Sequence, residues 1–135
     1  MFKLSFIYVG SFCFILSLLS FFNIIYSYYF EILYNIEIYT YTIVISLIFS
    51  SLFFLKRKVF QKISIYEKII AVVSGYIILP LIISIPYYFG LNYLSFIDSY
   101  FEAVSGFTST GFSIFENVKY LDQSLLIWRS TSQWF

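Results

Sequence analysis

The chain has 135 residues, of which 61% are hydrophobic, 25% aromatic and 11% charged, with a formal net charge of +1. An ordinary soluble domain is roughly 45–50% apolar, and charge this sparse excludes a soluble nucleic-acid binder and a solvated disordered tail. The mean hydropathy is +0.88, and the few charges that remain are clustered rather than spread.

Three stretches carry no charge at all: Leu4 to Phe30, Ile38 to Leu55 and Ile69 to Ile97. A helix needs about 20 apolar residues to cross a ~30 Å hydrocarbon core, so each can span, the second only just. The first is too long for the ~7–15-residue apolar region of a signal peptide, and no small-residue cleavage site follows it. Cys13, the single cysteine, lies inside this span and reads as a small packed or lipid-facing residue. Pro80 and Pro86 fall in the second half of the third span, where they are expected to kink or end it. A fourth apolar stretch, Leu125 to Phe135, is interrupted by Arg129.

The loops give an orientation. The segment KRKVFQKISIYEK, residues 56–68, holds five basic residues against one Glu, whereas the connection between the first two spans carries only Glu31 and Glu37. Basic residues in short loops stay on the cytoplasmic side and acidic ones have little influence. The expected arrangement puts Lys3 and 56–68 inside and 31–37 outside, with the YSYYF cluster at 26–30 in an outer interfacial belt.

The third span, starting near Lys68, should therefore end outside near Gly90, and the segment after it begins outside. In DSYFEAVSGFTSTGFS, Ser99 followed by Glu102 forms a capping-box pattern, with Asp98 as a competing cap. Phe101, Val104 and Ser105 share a face, and Gly106 is a plausible stop. The helix so defined, about eight residues and roughly 12 Å long, cannot cross a membrane. The run Thr108-Ser109-Thr110-Gly111-Phe112 that follows is small, hydroxylated and conformationally permissive. Irregular backbone at membrane depth survives only where it is buried in protein or lines a water-filled cavity, and such a run can present carbonyl oxygens to a cation in place of its hydration shell. The negative C-terminal end of the short helix would favour the same cation. An ordinary outer loop is the competing reading. Arg129 has two candidate roles, pairing with Glu102 to brace the short helix or snorkelling to the outer headgroups.

FEAVSGFTSTGFS followed by LLIWRSTSQWF resembles the first pore-loop repeat of the Trk/Ktr/HKT superfamily of cation transporters, most closely its TrkH/TrkG type of potassium-uptake subunit. That type carries two helices ahead of the first repeat, which the KtrB type lacks. The specific likeness covers residues 66–135; the first 60 residues match in hydropathy and topology alone. The resemblance implies four repeats in one chain around a single filter, each contributing one glycine. It makes Thr108, Ser109, Thr110, Gly111 and Phe112 the potassium-binding filter strand, with the carbonyls of Ser109 to Phe112 as ligands. Plant relatives that favour sodium often carry Ser at the Gly111 position, so the glycine leans towards potassium. Also implied are a homodimer and a cytosolic TrkA-type nucleotide-binding regulator; no cofactor is called for.

The expectation is an all-α integral membrane protein of the cell inner (plasma) membrane, with its N-terminus cytoplasmic. It has three transmembrane helices, one re-entrant pore helix with its filter loop, and a partial fourth transmembrane helix. Residues 1–65 form a two-helix hairpin with its basic loop, and 66–135 a first repeat truncated in its second helix. Its function would be that of an N-terminal fragment of a potassium transporter, supplying one of four filter loops. The rivals are a small membrane-embedded interaction subunit and a homotetramer with one pore loop per chain, in which the short inner helix would leave no gate. An enzyme fits least: the chain has no His, and its carboxylates lack metal-ligand spacing.

Overall fold

The computed structural model describes residues 5–54, 64–115 and 121–134. Lys3 and most of the basic segment, residues 56–63, lie outside the described residues. The described chain is all-helical, with α1 (Ser5–Tyr29), a 3-10 turn (Leu33–Asn35), α2 (Ile36–Phe54), α3 (Ile65–Gly90), α4 (Phe96–Phe107) and α5 (Gln123–Ser132). Three segments are long and apolar enough to cross a membrane: Ile7–Tyr29, Leu33–Phe53 and Ile65–Gly90. The protein is a multi-pass membrane protein.

α1 and α2 form a hairpin whose buried seam is polar. Ser17, Ser20, Asn23 and Ser27 recur at helical spacing on α1, opposite Thr42, Ser46 and Ser50 of α2, and all are buried. Phe14, Phe21, Phe22, Val44 and Ile48 point outward instead. This inversion is what lipid demands. Tails are as apolar as leucine and give no hydrophobic drive between helices, so small hydroxylated residues that allow close approach line the contact. The hydroxyls of Ser17, Thr42 and Ser46 donate to carbonyls of their own helix at 2.7, 2.9 and 2.7 Å. Close packing is strictest where Gly10 meets Phe53: a Cβ at residue 10 would lie 2.8 Å from Phe53 Cβ.

α3 begins with the Ser64 amide donating to Glu67 Oε2 at 3.2 Å. It runs unbroken through buried Pro80 and Pro86 to Gly90, so neither proline ends it. Each proline lacks the amide that would reach back one turn, and packing against neighbouring helices tolerates that loss.

After a short turn, α4 returns antiparallel to α3. Phe96 sits against Tyr88 (ring centroids 5.9 Å apart) and Phe107 against Tyr76 (5.4 Å). Tyr76 is 11 residues from Ile65 and 14 from Gly90, or about 16 and 21 Å along the helix. α4 therefore stops roughly halfway along α3. α5 starts beside the end of α3 and descends next to it, with Trp128 Nε1 donating to the Ile83 carbonyl at 3.0 Å.

The 31–35 connection, the turn after Gly90 and the start of α5 thus gather at one end of the molecule. Exposed Tyr28, Tyr29, Tyr34 and Tyr93 belong to this end, a placement that suits amphipathic rings at headgroup level. Lys68 lies in the first turn of α3, at the opposite end.

Candidate functional site

The start of α4 differs from the sequence expectation. Its N-cap is Ser95, whose Oγ accepts from the Asp98 amide at 3.2 Å and donates to Asp98 Oδ2 at 2.7 Å. Ser99 is inside the helix, its hydroxyl donating to the Ser95 carbonyl at 3.0 Å. The Ser99/Glu102 pattern is not a cap because the Glu102 carboxylate is engaged elsewhere. The helix is consequently twelve residues long, about 18 Å. Its buried face is Ser99, Glu102, Ala103 and Gly106, with Ser105 beside it, while Phe101 is exposed. Of Phe101, Val104 and Ser105, which share a face by spacing, only Ser105 is buried; as in α1, the large apolar side chain faces outward.

Gly106 is not the stop either. It lies in the last turn, where a Cβ would come within 2.9 Å of Ser132 Oγ, so its role is close approach of α5. The helix ends one residue later, at Phe107, in a Schellman motif. The Thr110 amide donates to the Ser105 carbonyl and the Ser109 amide to the Gly106 carbonyl, both at 3.0 Å. Ser109 takes the left-handed conformation, φ 54°, and Gly111 follows at φ 82°. Two left-handed residues within three turn the chain sharply back on itself. Thr108 Oγ1 donates to the Val104 carbonyl at 2.7 Å and is bonded to Thr110 Oγ1 at 2.7 Å.

Thr108, Ser109, Thr110, Gly111 and Phe112 are all exposed, and nothing lies within 4 Å of where a Gly111 Cβ would be. Among the described residues none donates to the carbonyls of Thr108, Ser109, Thr110 or Gly111. The Phe112 carbonyl, also among the expected ligands, accepts from Ser105 Oγ.

Behind this loop stands Glu102, fully buried. Arg129 Nε donates to its Oε1 at 2.5 Å, the Ile114 amide to its Oε2 at 3.1 Å, and Ser113 Oγ lies 3.1 and 3.2 Å from the two oxygens. One carboxylate therefore joins α4, the segment leaving the loop, and α5. The Arg129 side chain is 15% exposed, so it is tucked against Glu102 rather than extended to headgroups. Ser109 Oγ adds a second link to α5, donating to the Gln133 carbonyl at 3.3 Å.

A node that the sequence reading did not single out fixes the other end of α5. Asn23 Nδ2 donates to the Ser124 carbonyl at 3.1 Å, while Asn35 Nδ2 and Tyr39 OH donate to Ser124 Oγ at 3.3 and 3.2 Å. All four residues are buried. Asp122 caps the helix, its Oδ1 accepting from the Ser124 amide at 2.7 Å. Part of the signal was present in the sequence as Asn23 within an otherwise apolar span, where polar side chains are rare and placed for a reason.

Among known proteins, 83 residues of the chain, 61% of its length, are 35% identical to an uncharacterized cation transporter of Methanocaldococcus jannaschii. The matched region spans about 18% of the length of that relative. No family model and no solved structure matches the chain. The similarity is thus to part of a cation transporter and does not extend to a particular cation or to the TrkH type.

Proposed function

We infer that the protein contributes to potassium transport across the membrane, with α4 as a pore helix and residues 108–112 as one of four loops of a cation filter. The observation that carries this reading is the loop itself. It hangs halfway along a membrane-spanning helix, exposed, with four successive carbonyls that accept no hydrogen bond from the described residues. Unpaired backbone at membrane depth requires a water-filled cavity, and several carbonyls offered together replace a cation's hydration shell. Partial similarity to a cation transporter supports the same reading. The ligands would be the carbonyls of Thr108, Ser109, Thr110 and Gly111, with that of Phe112 held by Ser105.

In this reading residues 1–65 form an accessory hairpin and 66–135 the first of four repeats of a longer TrkH-type subunit. The remaining repeats complete the filter. The subunit works as a homodimer with a cytosolic nucleotide-binding regulator at the end that bears the basic 56–68 segment. The excess of Lys and Arg in that segment supports placing it, with the N-terminus, in the cytoplasm. Glu102 and Arg129 brace the pore helix from behind.

The test is Gly111→Ser in the full-length protein, with potassium and sodium uptake measured in proteoliposomes. Because Gly111 is at φ 82° with open space around it, serine costs about 1–2 kcal/mol of backbone strain without a clash, so the protein remains folded. The expected result is lower potassium-over-sodium discrimination; unchanged selectivity rejects the filter assignment. If the wild type moves no cation, the reading gives way to a membrane-embedded interaction subunit.

A further inference from the structure

A groove of about 450 Å³ opens between α1 and α3 at the end of the molecule opposite the Asn23–Ser124 node. Its floor is made by Val9, Ala71, Gly75 and Leu79, all buried. Tyr76 and Phe107 line it further along, packed edge to face, and Lys68 lines it at its start. Lys68 to Leu79 is 11 residues, about 16 Å of helix, half the ~30 Å hydrocarbon thickness. The groove is therefore one leaflet deep.

Its polarity is graded in the direction a lipid requires. Lys68 is the last charge before the charge-free run that begins at Ile69, which puts its ammonium at headgroup level. The groove below it is apolar. Lys68 is exposed, and no described carboxylate pairs with it; its neighbour Glu67 accepts from the Ser64 amide instead. Four further basic residues precede it between positions 56 and 62. A cluster of Lys and Arg next to a transmembrane helix attracts anionic lipid, and Lys68, the last basic residue of that sequence cluster, lines the mouth of an acyl-sized slot. A second protein segment would not need a cation at the mouth, and a soluble phosphate would not need the apolar floor.

We propose that this groove is a binding site for one anionic phospholipid, its headgroup phosphate on Lys68 and one acyl chain lying over Gly75 with its end against Phe107. Phe107 immediately precedes the Thr108–Phe112 loop, so the occupied groove supports the base of that loop. The site follows from the groove and its charge and does not depend on the transport reading.

The experiment uses the full-length protein in nanodiscs containing phosphatidylglycerol or phosphatidylcholine with a diazirine on the acyl chain. Adducts are mapped by peptide mass spectrometry. Phosphatidylglycerol should label the 69–79 and Phe107 peptides about fivefold more than phosphatidylcholine, the effect of one lysine at an anionic surface. Lys68→Gln should bring that ratio close to one. Gly75→Leu should suppress labelling by both lipids. The nearest atom to a Cβ at 75 is Leu79 Cδ1 at 3.9 Å, so the side chain can leave the backbone there and extend over the floor, and an unchanged melting temperature verifies that the variant is folded. Equal labelling by the two lipids in the wild type, labelling that survives Gly75→Leu in the folded variant, or cross-links from the groove to another part of the protein in place of lipid would each overturn the proposal.

Discussion

The Glu102–Arg129 pair offers the sharpest energetic test, because its environment sets both the sign and the size of the response. Glu102 is wholly buried and Arg129 nearly so. Arg129→Gln leaves a buried carboxylate with only the Ile114 amide and the Ser113 hydroxyl as donors. Removing one partner of a buried ion pair costs about 3–5 kcal/mol. Glu102→Gln leaves a buried guanidinium without its counter-charge and turns an amide group towards donors, with a similar cost. The double variant leaves neither charge stranded, so it should cost less than the sum of the two, by a coupling of about 1–3 kcal/mol. The assay is reversible denaturation in mixed micelles followed by tryptophan fluorescence. Trp128 is a suitable reporter, being buried one residue from Arg129 and anchored to the Ile83 carbonyl. Additivity to within about 0.5 kcal/mol would mean that the two side chains do not act as a unit, and the brace would be refuted.

Other perturbations probe the parts that hold the loop in place. Ser124→Ala strands the buried Asn35 amide and Tyr39 hydroxyl and should cost about 2–3 kcal/mol in the same denaturation assay. Tyr39→Phe, which removes the hydroxyl itself, should cost about 1 kcal/mol; no loss in either variant would mean that the node does not bear on stability. Gly10→Ala should destabilise by about 1–3 kcal/mol, because the added Cβ meets the root of the Phe53 side chain at 2.8 Å and must part the helices. Gly106→Ala meets only the rotatable Ser132 hydroxyl and should be milder, an order that paired melting curves would check. Ser105→Ala frees the Phe112 carbonyl and should change cation selectivity more than melting temperature, measured by uptake and by thermal unfolding side by side.

The long helices were legible because charge is nearly forbidden within a span. The charge-free runs 4–30 and 38–55 anticipate α1 and α2 to within two residues at each end. The third span ends at Gly90, where it was expected to end, although the chain stays uncharged to Ile97; a turn at the membrane interface is not marked by charge. The α4 boundary was misread because Ser95/Asp98 and Ser99/Glu102 present the same cap chemistry one turn apart. What decides between them is the tertiary use of Glu102 by Arg129, Ser113 and Ile114, and local pattern does not contain it. Spacing put Phe101, Val104 and Ser105 on one face of α4 but did not say which face is buried, and the helix buries Ser99, Glu102 and Gly106. The same inversion concealed the Asn23–Asn35–Tyr39–Ser124 node. Polar residues at three- and four-residue spacing in an apolar span are the stripe to look for, and both helices of the hairpin carry it. The loop stood out for a different reason: its hydroxyls and glycines are consecutive rather than spaced along one helix face, so they break the apolar pattern locally.

The most direct test of the cation-site assignment is to grow crystals of the full-length protein in rubidium and collect anomalous diffraction. The account predicts a rubidium peak in contact with the carbonyls of Thr108 to Gly111, on an axis shared with three other loops. A loop packed against protein with no anomalous density beside it, or rubidium bound only elsewhere, would contradict it.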